Sequence, residues 1–366
     1  MVDPESAILE ARMLRQGLTL PIKNGGPSRP RDIVHRLCAV QAQDYLGSLW
    51  AIGLRGGDAC TRADVELAIA ERHIVRTWPM RGTLHFVVAE DARWMLELLA
   101  PRAIERAAGR HRQLGLDAET IDRAGALFAS AMQSGGRQTR PELMRLLEDA
   151  GIQTEGQRGY HLLWIHAQRG LICLGPMSGK QQTFVLLDDW VPAVPPIPRE
   201  EALARIARRY VVGHGPATAE DLARWTGLTL SDARFGLTQA LHALDRAEIN
   251  GVEYWTAPDL PCGTLPGPVL HLLPAFDEYV IGYVDRRLIL GEHFDEYRAS
   301  VSRNGMLAPT LVADGRVVGT WKRATSRHAV GVAITAFEPL TARRAALGDA
   351  AARYGRFLGV DAELIL

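Results

Sequence analysis

Thr218-Ala-Glu-Asp221-Leu-Ala-Arg-Trp225-Thr-Gly227-Leu-Thr229-Leu230-Ser-Asp232 is the stretch on which the fold turns. A threonine hydroxyl accepts a backbone N–H of a first helical turn, and an acid three residues on reaches back or favours the positive end of the helix. The spacing predicts a short helix from Thr218 to Trp225, a turn over Thr226 to Thr229, and a second helix from Leu230 to Leu244. Two helices joined by a Gly-containing turn form a helix-turn-helix, whose second helix usually enters a DNA major groove. Glu248 to Trp255 follows, with Asn250-Gly251 as a two-residue hairpin turn between short strands. A helix-turn-helix followed by a hairpin is a winged helix.

The opening signal occurs twice more, as Thr61-Arg-Ala-Asp64-Val65 and Thr139-Arg-Pro-Glu142-Leu143, so that the three copies stand 78 and 79 residues apart. After Thr139 the pattern predicts helices to about Ala150 and from Gly159 to Arg169, then strands over Gly170–Leu174 and Thr183–Leu187. After Thr61 it predicts a helix to about His73, then strands over Ile74–Trp78 and Gly82–Val87. One supersecondary unit used three times is the expected organisation. The rival is a set of unrelated helix–hairpin pieces in an α+β enzyme.

With 366 residues the chain suits two to four subdomains better than one core. Its 47% hydrophobic and 23% charged residues are those of a soluble globular protein. No apolar run approaches the ~18–20 residues of a membrane span, and Met-Val-Asp-Pro-Glu is not a signal peptide. A cytoplasmic, nucleoid-associated monomer with no membrane partner is expected. Cys38, Cys60, Cys173 and Cys262 are scattered, without C-x-x-C or a histidine at metal spacing, so they read as reduced and buried, with no metal. No cofactor signature is present.

The charge balance, 42 basic against 42 acidic, argues mildly against a nucleic-acid binder. Distribution matters more, because phosphate contacts need a local positive face. Such clusters exist at Arg72-His73 with Arg76 and Arg81, at Arg102 to Arg112, and at Lys322-Arg323 with Arg327-His328. The lysines are only Lys23, Lys180 and Lys322. Arginine forks onto phosphate better than lysine does, although a GC-rich genome also enriches it.

Two proline-rich stretches punctuate the chain, Trp190 to Pro198 and Pro258 to Pro268. Neither composition permits a helix or a central strand. Beyond the second lie strand-like runs at Val269–Leu273, Tyr279–Tyr283, Thr310–Val312 and Arg316–Trp321, with Asp314-Gly315 marking a hairpin turn. The expected fold is therefore α+β, with three tandem winged helix-turn-helix domains and a β-rich C-terminal module. The boundaries are 1–95, 96–195, 196–258 and 259–366.

Walker, G-x-G-x-x-G, H-E-x-x-H and G-x-S-x-G signatures are all missing. Polar residues in apolar surroundings are the remaining leads. A helix from about Arg31 runs into Leu37-Cys-Ala-Val-Gln41-Ala42-Gln43-Asp44-Tyr45. On spacing alone the two glutamines cap a solvated helix end. Residues i and i+2 of a helix point about 200° apart, so both face one site only at a helix end or in an irregular turn. Asp44 is a rival carboxylate. His85 reads as a satisfied structural histidine. Asp277-Glu278 and Asp285 look like paired acids, and nearby Arg286-Arg287 favours an ion pair.

Five motifs occur in order: Val40-Gln41-Ala42-Gln43; Trp78-x-Met-Arg81-Gly-Thr-Leu-His85; His214-Gly-Pro-Ala-Thr218; Leu273-Pro-x-Phe-Asp277-x-Tyr279-x-x-Gly-Tyr283-x-Asp285-Arg286; and Gly319-x-Trp321-Lys322-Arg323. Over nearly the whole chain this set resembles the AlkZ/YcaQ-type winged-helix DNA glycosylases. The resemblance implies three tandem winged helices with a β-rich C-terminal part. It also implies excision of N7-alkylated purines, including bulky adducts and interstrand crosslinks of alkylating natural products. The catalytic motif is Gln-apolar-Gln in the AlkZ branch and Gln-apolar-Asp in the YcaQ branch, so Gln41 and Gln43 are the implied catalytic pair.

That motif suits the reaction. N7 alkylation makes the purine cationic, so the leaving group needs no general acid. The enzyme has to place water and stabilise an oxocarbenium-like sugar. Neutral amides are weak bases, so uncharged lesions are expected to be poor substrates. No lysine lies near the motif, which points to a monofunctional glycosylase rather than a Schiff-base lyase. Double-stranded DNA with alkylated purines is the expected partner. The expected contacts are Arg76, Arg81 and His85 beside the first hairpin, and Trp321, Lys322 and Arg323 as backbone contacts or a wedge. A non-catalytic winged-helix regulator is the alternative. It is disfavoured by length and by three unlike units that offer no two-fold symmetry.

Overall fold

A computed structural model describes residues 3–18, 29–258, 270–301, 307–325 and 329–365. Helix α1 (Pro4–Arg15) precedes the first unit, which runs α2 (Pro30–Leu37), β1 (Val40–Gln41), α3 (Tyr45–Arg55), α4 (Arg62–Ala70), β2 (Ile74–Met80) and β3 (Thr83–Val88). The long helix α5 (Ala92–Gln113) leads to the second: α6 (Ala118–Ala131), β4 (Gln138–Thr139), α7 (Arg140–Asp149), α8 (Arg158–Gln168), β5 (Ile172–Leu174), β6 (Thr183–Leu186) and the short α9 (Leu187–Trp190). The third holds α10 (Arg199–His214), α11 (Ala219–Thr226), α12 (Leu230–Gln239), β7 (Asp245–Ile249) and β8 (Val252–Thr256).

The three threonine boxes all form. Thr61, Thr139 and Thr218 each accept the N–H of the acid three residues on, and that acid's carboxylate takes the threonine N–H in return. Their even spacing, however, is fortuitous. Thr139 and Thr218 cap the second helix of their units, directly after a short extended segment that pairs antiparallel with the second hairpin strand: β4 with β6, and Ala217 with Trp255. Thr61 caps α4, the helix next to the hairpin. The first unit's counterpart of Thr139 is Asp44. It follows β1, which pairs with β3, and its carboxylate caps α3 by accepting the Gly47 N–H at 3.1 Å. Among the described residues, then, the order helix, short strand, capped helix, helix, hairpin occurs three times, and the Gln41–Gln43 segment fills the first short-strand-to-cap junction.

The hairpin turns follow their residues. Asn250-Gly251 and Asp314-Gly315 both place two consecutive residues at positive φ, as a type I′ turn requires. The first two hairpins merge, because Arg76 of β2 pairs with Leu174 of β5, giving one six-stranded sheet ordered β1-β3-β2-β5-β6-β4. The first proline-rich stretch carries no helix or strand between Trp190 and Arg199. The second lies outside the described residues except for Pro258.

The C-terminal part departs from the β-rich expectation in two places. Tyr279–Tyr283 is not a strand. Asp277 caps a short helix, α13 (Glu278–Ile281), by accepting the Tyr279 N–H, and the Tyr279 and Tyr283 hydroxyls reach the Gly315 and His214 carbonyls. Strand β9 (Leu270–Leu273) precedes α13, α14 (Arg287–Leu290) and α15 (Phe294–Ser300) follow it, and β9 joins β10 (Thr310–Ala313), β11 (Arg316–Thr325), β12 (Ala329–Ala336) and β13 (Asp361–Ile365) in a sheet ordered β13-β12-β11-β10-β9. The return from β12 to β13 is parallel, which requires a crossover, supplied by α16 (Arg344–Leu358). Tyr354 and Phe357 of α16 pack on Trp50 at 5.0 and 5.1 Å between ring centroids. The Trp50 indole donates to the Leu272 carbonyl at 2.6 Å, which seats this part on α3.

Candidate active site

The Gln41–Gln43 segment is not on a helix. α2 stops at Leu37 because Cys38 takes φ +64°, ψ −44°, and the Ala39 N–H then bonds the Leu37 carbonyl at 2.7 Å. This is a positive-φ γ-turn, rare for a residue with a side chain. Backbone outliers of this kind concentrate at functional sites. The turn aims the chain into β1, where Val40 and Gln41 face Phe86 and His85 of β3. The Cys38 thiol is sealed in the core, and burial pushes its pKa up to about 12.

Each residue of the turn is fixed separately. The Gln41 N–H donates to Glu278 Oε1 at 2.8 Å, and the Gln41 Oε1 accepts the Gln43 N–H at 3.1 Å. The Gln43 Oε1 accepts the Leu84 N–H at 3.1 Å. Ala42 donates to the Leu84 carbonyl at 2.7 Å, and its own carbonyl takes two bonds from Arg76, at 3.1 and 2.6 Å. The Ala42 side chain is wholly buried, which accounts for a small apolar residue between the glutamines. One lone pair of each glutamine carbonyl is thus committed to the protein. Both NH₂ groups lack a protein partner among the described residues. Gln43 is exposed and Gln41 is 7% exposed.

Arg76 is therefore a scaffold residue and not a free phosphate contact. It is buried, lies 5.1 Å over the Tyr45 ring and grips the turn. Burial lowers its pKa to about 10, so it stays cationic at neutral pH. His85 is fully buried. Its Nδ1 meets the Thr83 carbonyl at 2.9 Å, and its Nε2 faces Arg81 Nη2 at 3.2 Å. Burial first, and then Arg81, lower its pKa to about 3. It is neutral, with its proton on Nδ1, and this is the structural histidine that spacing indicated. Arg81 sits at positive φ with Gly82 in the β2–β3 turn. It folds against the His85 ring and the Arg224 carbonyl, and burial lowers its pKa.

Trp321 is no wedge. It is 4% exposed, donates to the Leu273 carbonyl at 2.8 Å and packs on Tyr354. Lys322 and Arg323 beside it are exposed. The buried Tyr354 hydroxyl is raised by burial, with Arg323 lowering and Asp44 raising it in turn. A further basic feature lies at the junction of the first and third units. Arg81, Arg102 and Arg106 line a cavity of about 60 Å³ with Thr226 and Gly227, and no carboxylate among the described residues lines it. Arg102 Nε is buried without a partner among the described residues. An adjoining pocket of about 220 Å³ is mixed in charge, lined by Arg102 and Glu105 and by Arg199, which pairs with Asp232 at 3.1 Å.

The sequence singles out Asp277 and Glu278 as paired acids but does not show their partners or their burial. Asp277 forks onto Arg55 at 2.7 and 2.8 Å, and does not pair with Arg286 or Arg287. Asp285 does pair with Arg287. Glu278 lies directly behind Gln41 and also accepts the Trp225 indole N–H at 2.8 Å. Burial raises its pKa, but the neighbouring His214 and His85 rings and the Trp225 bond together outweigh that and leave it lowered. The available signal was a second acid directly after Asp277, ahead of the apolar run Tyr279-Val-Ile.

Asp44 has two separable roles, cap and carboxylate. Asp44→Asn keeps a good cap and loses the charge, so it is expected to leave activity within about 3-fold, whereas Asp44→Ala costs ~1 kcal/mol of stability. Thermal melting together with base-release rates checks both. Loss of activity in the asparagine variant alone would make Asp44 a working base.

Comparison with known proteins identifies the family. A family model described as DNA glycosylase AlkZ-like matches residues 34–357, which makes the chain an enzyme of the DNA glycosylase class. An interstrand DNA cross-link repair glycosylase of Streptomyces sahachiroi is 31% identical over 311 residues, covering 80% of this chain and 81% of that protein. The solved structure of Streptomyces sahachiroi DNA glycosylase AlkZ matches with a TM-score of 0.79 at 26% identity over 100% of both chains. The chain belongs to the AlkZ-like DNA glycosylase family.

Proposed function

We propose that this enzyme is a monofunctional glycosylase that hydrolyses the N-glycosidic bond of N7-alkylated purines in duplex DNA, with water placed by Gln41 and Gln43. The observation that carries the reading is the pinned, neutral Gln41-Ala42-Gln43 turn with its two unpartnered amide NH₂ groups. Each carbonyl keeps one lone pair to orient a water, and each NH₂ is a donor for that water or for a phosphate or base edge. The cationic purine leaves without a general acid. The Arg76 guanidinium is spent on the Ala42 carbonyl and is not aimed at developing sugar charge. An interstrand crosslink bridging two N7 atoms is two such lesions, and the crosslink-repair relative supports including it among the substrates.

We read residues 30–88, 118–186 and 199–256 as three winged helices that grip DNA, with Lys322, Arg323 and the Arg81–Arg102–Arg106 cluster as phosphate contacts. Arg102→Ala and Arg106→Ala are each expected to weaken binding of undamaged duplex and to reduce the slope of log K against log salt by about 1. Fluorescence anisotropy across a potassium chloride series checks this, and an unchanged slope removes the cluster from the interface. The function itself is tested by incubation with duplex containing N7-methylguanine, following free purine chromatographically. Release is expected there and not from duplex carrying uncharged lesions. No release from the cationic lesion overturns the reading.

A further inference from the structure

β1 is the edge strand of its sheet, so the outward N–H of Gln41 has no neighbouring strand to accept it. An edge donor of this kind normally faces water. Here Glu278, from α13 in the C-terminal part, takes the place of a strand carbonyl. Its carboxylate is 1% exposed and both oxygens are used: Oε1 by Gln41 of the first unit, Oε2 by Trp225 of the third. His214 Nε2 stands 3.5 Å from Oε2, with its ring stacked 4.7 Å from Tyr210.

A buried charge is a poor way to join three parts of a chain, because its desolvation costs several kcal/mol and apolar replacements are often as stable. What Glu278 does that an apolar residue would not is fix one backbone N–H at the entrance of the Gln41–Gln43 turn. We propose that Glu278 is the positioning residue of that turn, setting the aim of both glutamine amides, with Trp225 and His214 holding the carboxylate in place. The coupling is a chain of single bonds. A tilt at Gln41 moves the carbonyl that accepts the Gln43 N–H, and Gln43 is in turn tied to Leu84. Arg76 clamps Ala42 independently. Losing Glu278 therefore loosens the amides without releasing the whole segment. The inference rests on the reading of this turn as the catalytic site.

Glu278→Gln is the informative change, since its one carbonyl satisfies either Gln41 or Trp225 and its NH₂ faces the other donor. The expected result is a 10- to 100-fold drop in single-turnover purine release from N7-methylguanine duplex, with duplex affinity within 2-fold. Amide hydrogen exchange at Gln41–Gln43 should quicken while α8 exchanges as in the wild type. A wild-type rate overturns the inference, and so does a rate loss accompanied by faster exchange throughout, which marks a merely structural role. If Glu278→Gln does not fold, Trp225→Phe carries the same test. It frees Oε2 alone and is expected to cost 3- to 10-fold in rate with the same local exchange signature; a wild-type rate overturns the inference. If the wild type itself releases no purine, the catalytic reading fails and exchange alone decides. Quickening confined to Gln41–Gln43 then supports positioning, and its absence refutes it.

Discussion

Gln41→Ala and Gln43→Ala will each lower purine release from N7-methylguanine duplex by about 10²–10³-fold, the range seen when one group that orients a nucleophile or stabilises developing charge is removed. The two losses will not multiply. Gln41 Oε1 holds the Gln43 N–H, so removing Gln41 also releases Gln43, and the double variant should be little slower than Gln41→Ala alone. Gln43→Ala leaves the Leu84 N–H without its acceptor, a stability cost of ~1–3 kcal/mol that melting separates from the rate effect. Duplex binding should stay within about 2-fold in both, because neither amide forms part of the arginine cluster. Single-turnover release and anisotropy on one protein preparation make the measurement. Wild-type release in both variants would move the chemistry away from this turn, and Asp44 would be the next residue to test.

The local devices of this fold were legible because they are local. Three capping boxes, two Asx-Gly hairpin turns and the proline connector each depend on a few consecutive residues, and all formed as their residue types require. The register of the repeat was not legible. A threonine box states that a helix begins but not which helix of a unit it begins, and in the first unit an aspartate has the cap that threonine has in the others. The strand expectation at Tyr279–Tyr283 failed for a related reason. A short apolar run rich in Tyr, Val and Ile looks strand-like, but the Asp277 cap decides locally for a helical turn. Residues named for DNA contact separate along the same line. Arg76, His85 and Trp321 carry the chemistry of a surface contact, yet their partners are the Ala42, Thr83 and Leu273 carbonyls. Such pairings join segments distant in sequence, which one sequence does not display. Gln41 and Gln43 were found through motif resemblance, and the partners of the buried acid behind them only through coordinates.

Asp277→Ala will be the most destabilising of the simple substitutions. Arg55 and Asp277 have side chains 1% and 0% exposed, and the pair is bidentate. Arg55 further donates to the Ala51 carbonyl and to the Gln16 carbonyl and side-chain oxygen. One guanidinium thereby ties the end of α1, α3 and the start of α13. Removing the carboxylate strands a buried charge, which costs ~3–5 kcal/mol and for a chain of this size lowers the melting temperature by on the order of 5–10 °C. Arg55→Met should cost a similar amount, because it strands the carboxylate instead. The combined Asp277→Ala, Arg55→Met chain should lose less than the sum of the two, since neither charge is then left alone. Calorimetric melting of the four proteins closes the cycle. Strict additivity would show that the pair is not coupled. Asp277 also caps the helix that begins with Glu278, so the cycle carries a second readout in purine release. If Glu278 positions the glutamines, Asp277→Ala should slow release even at temperatures where the variant remains fully folded, and Arg55→Met, which leaves that cap intact, should slow it less.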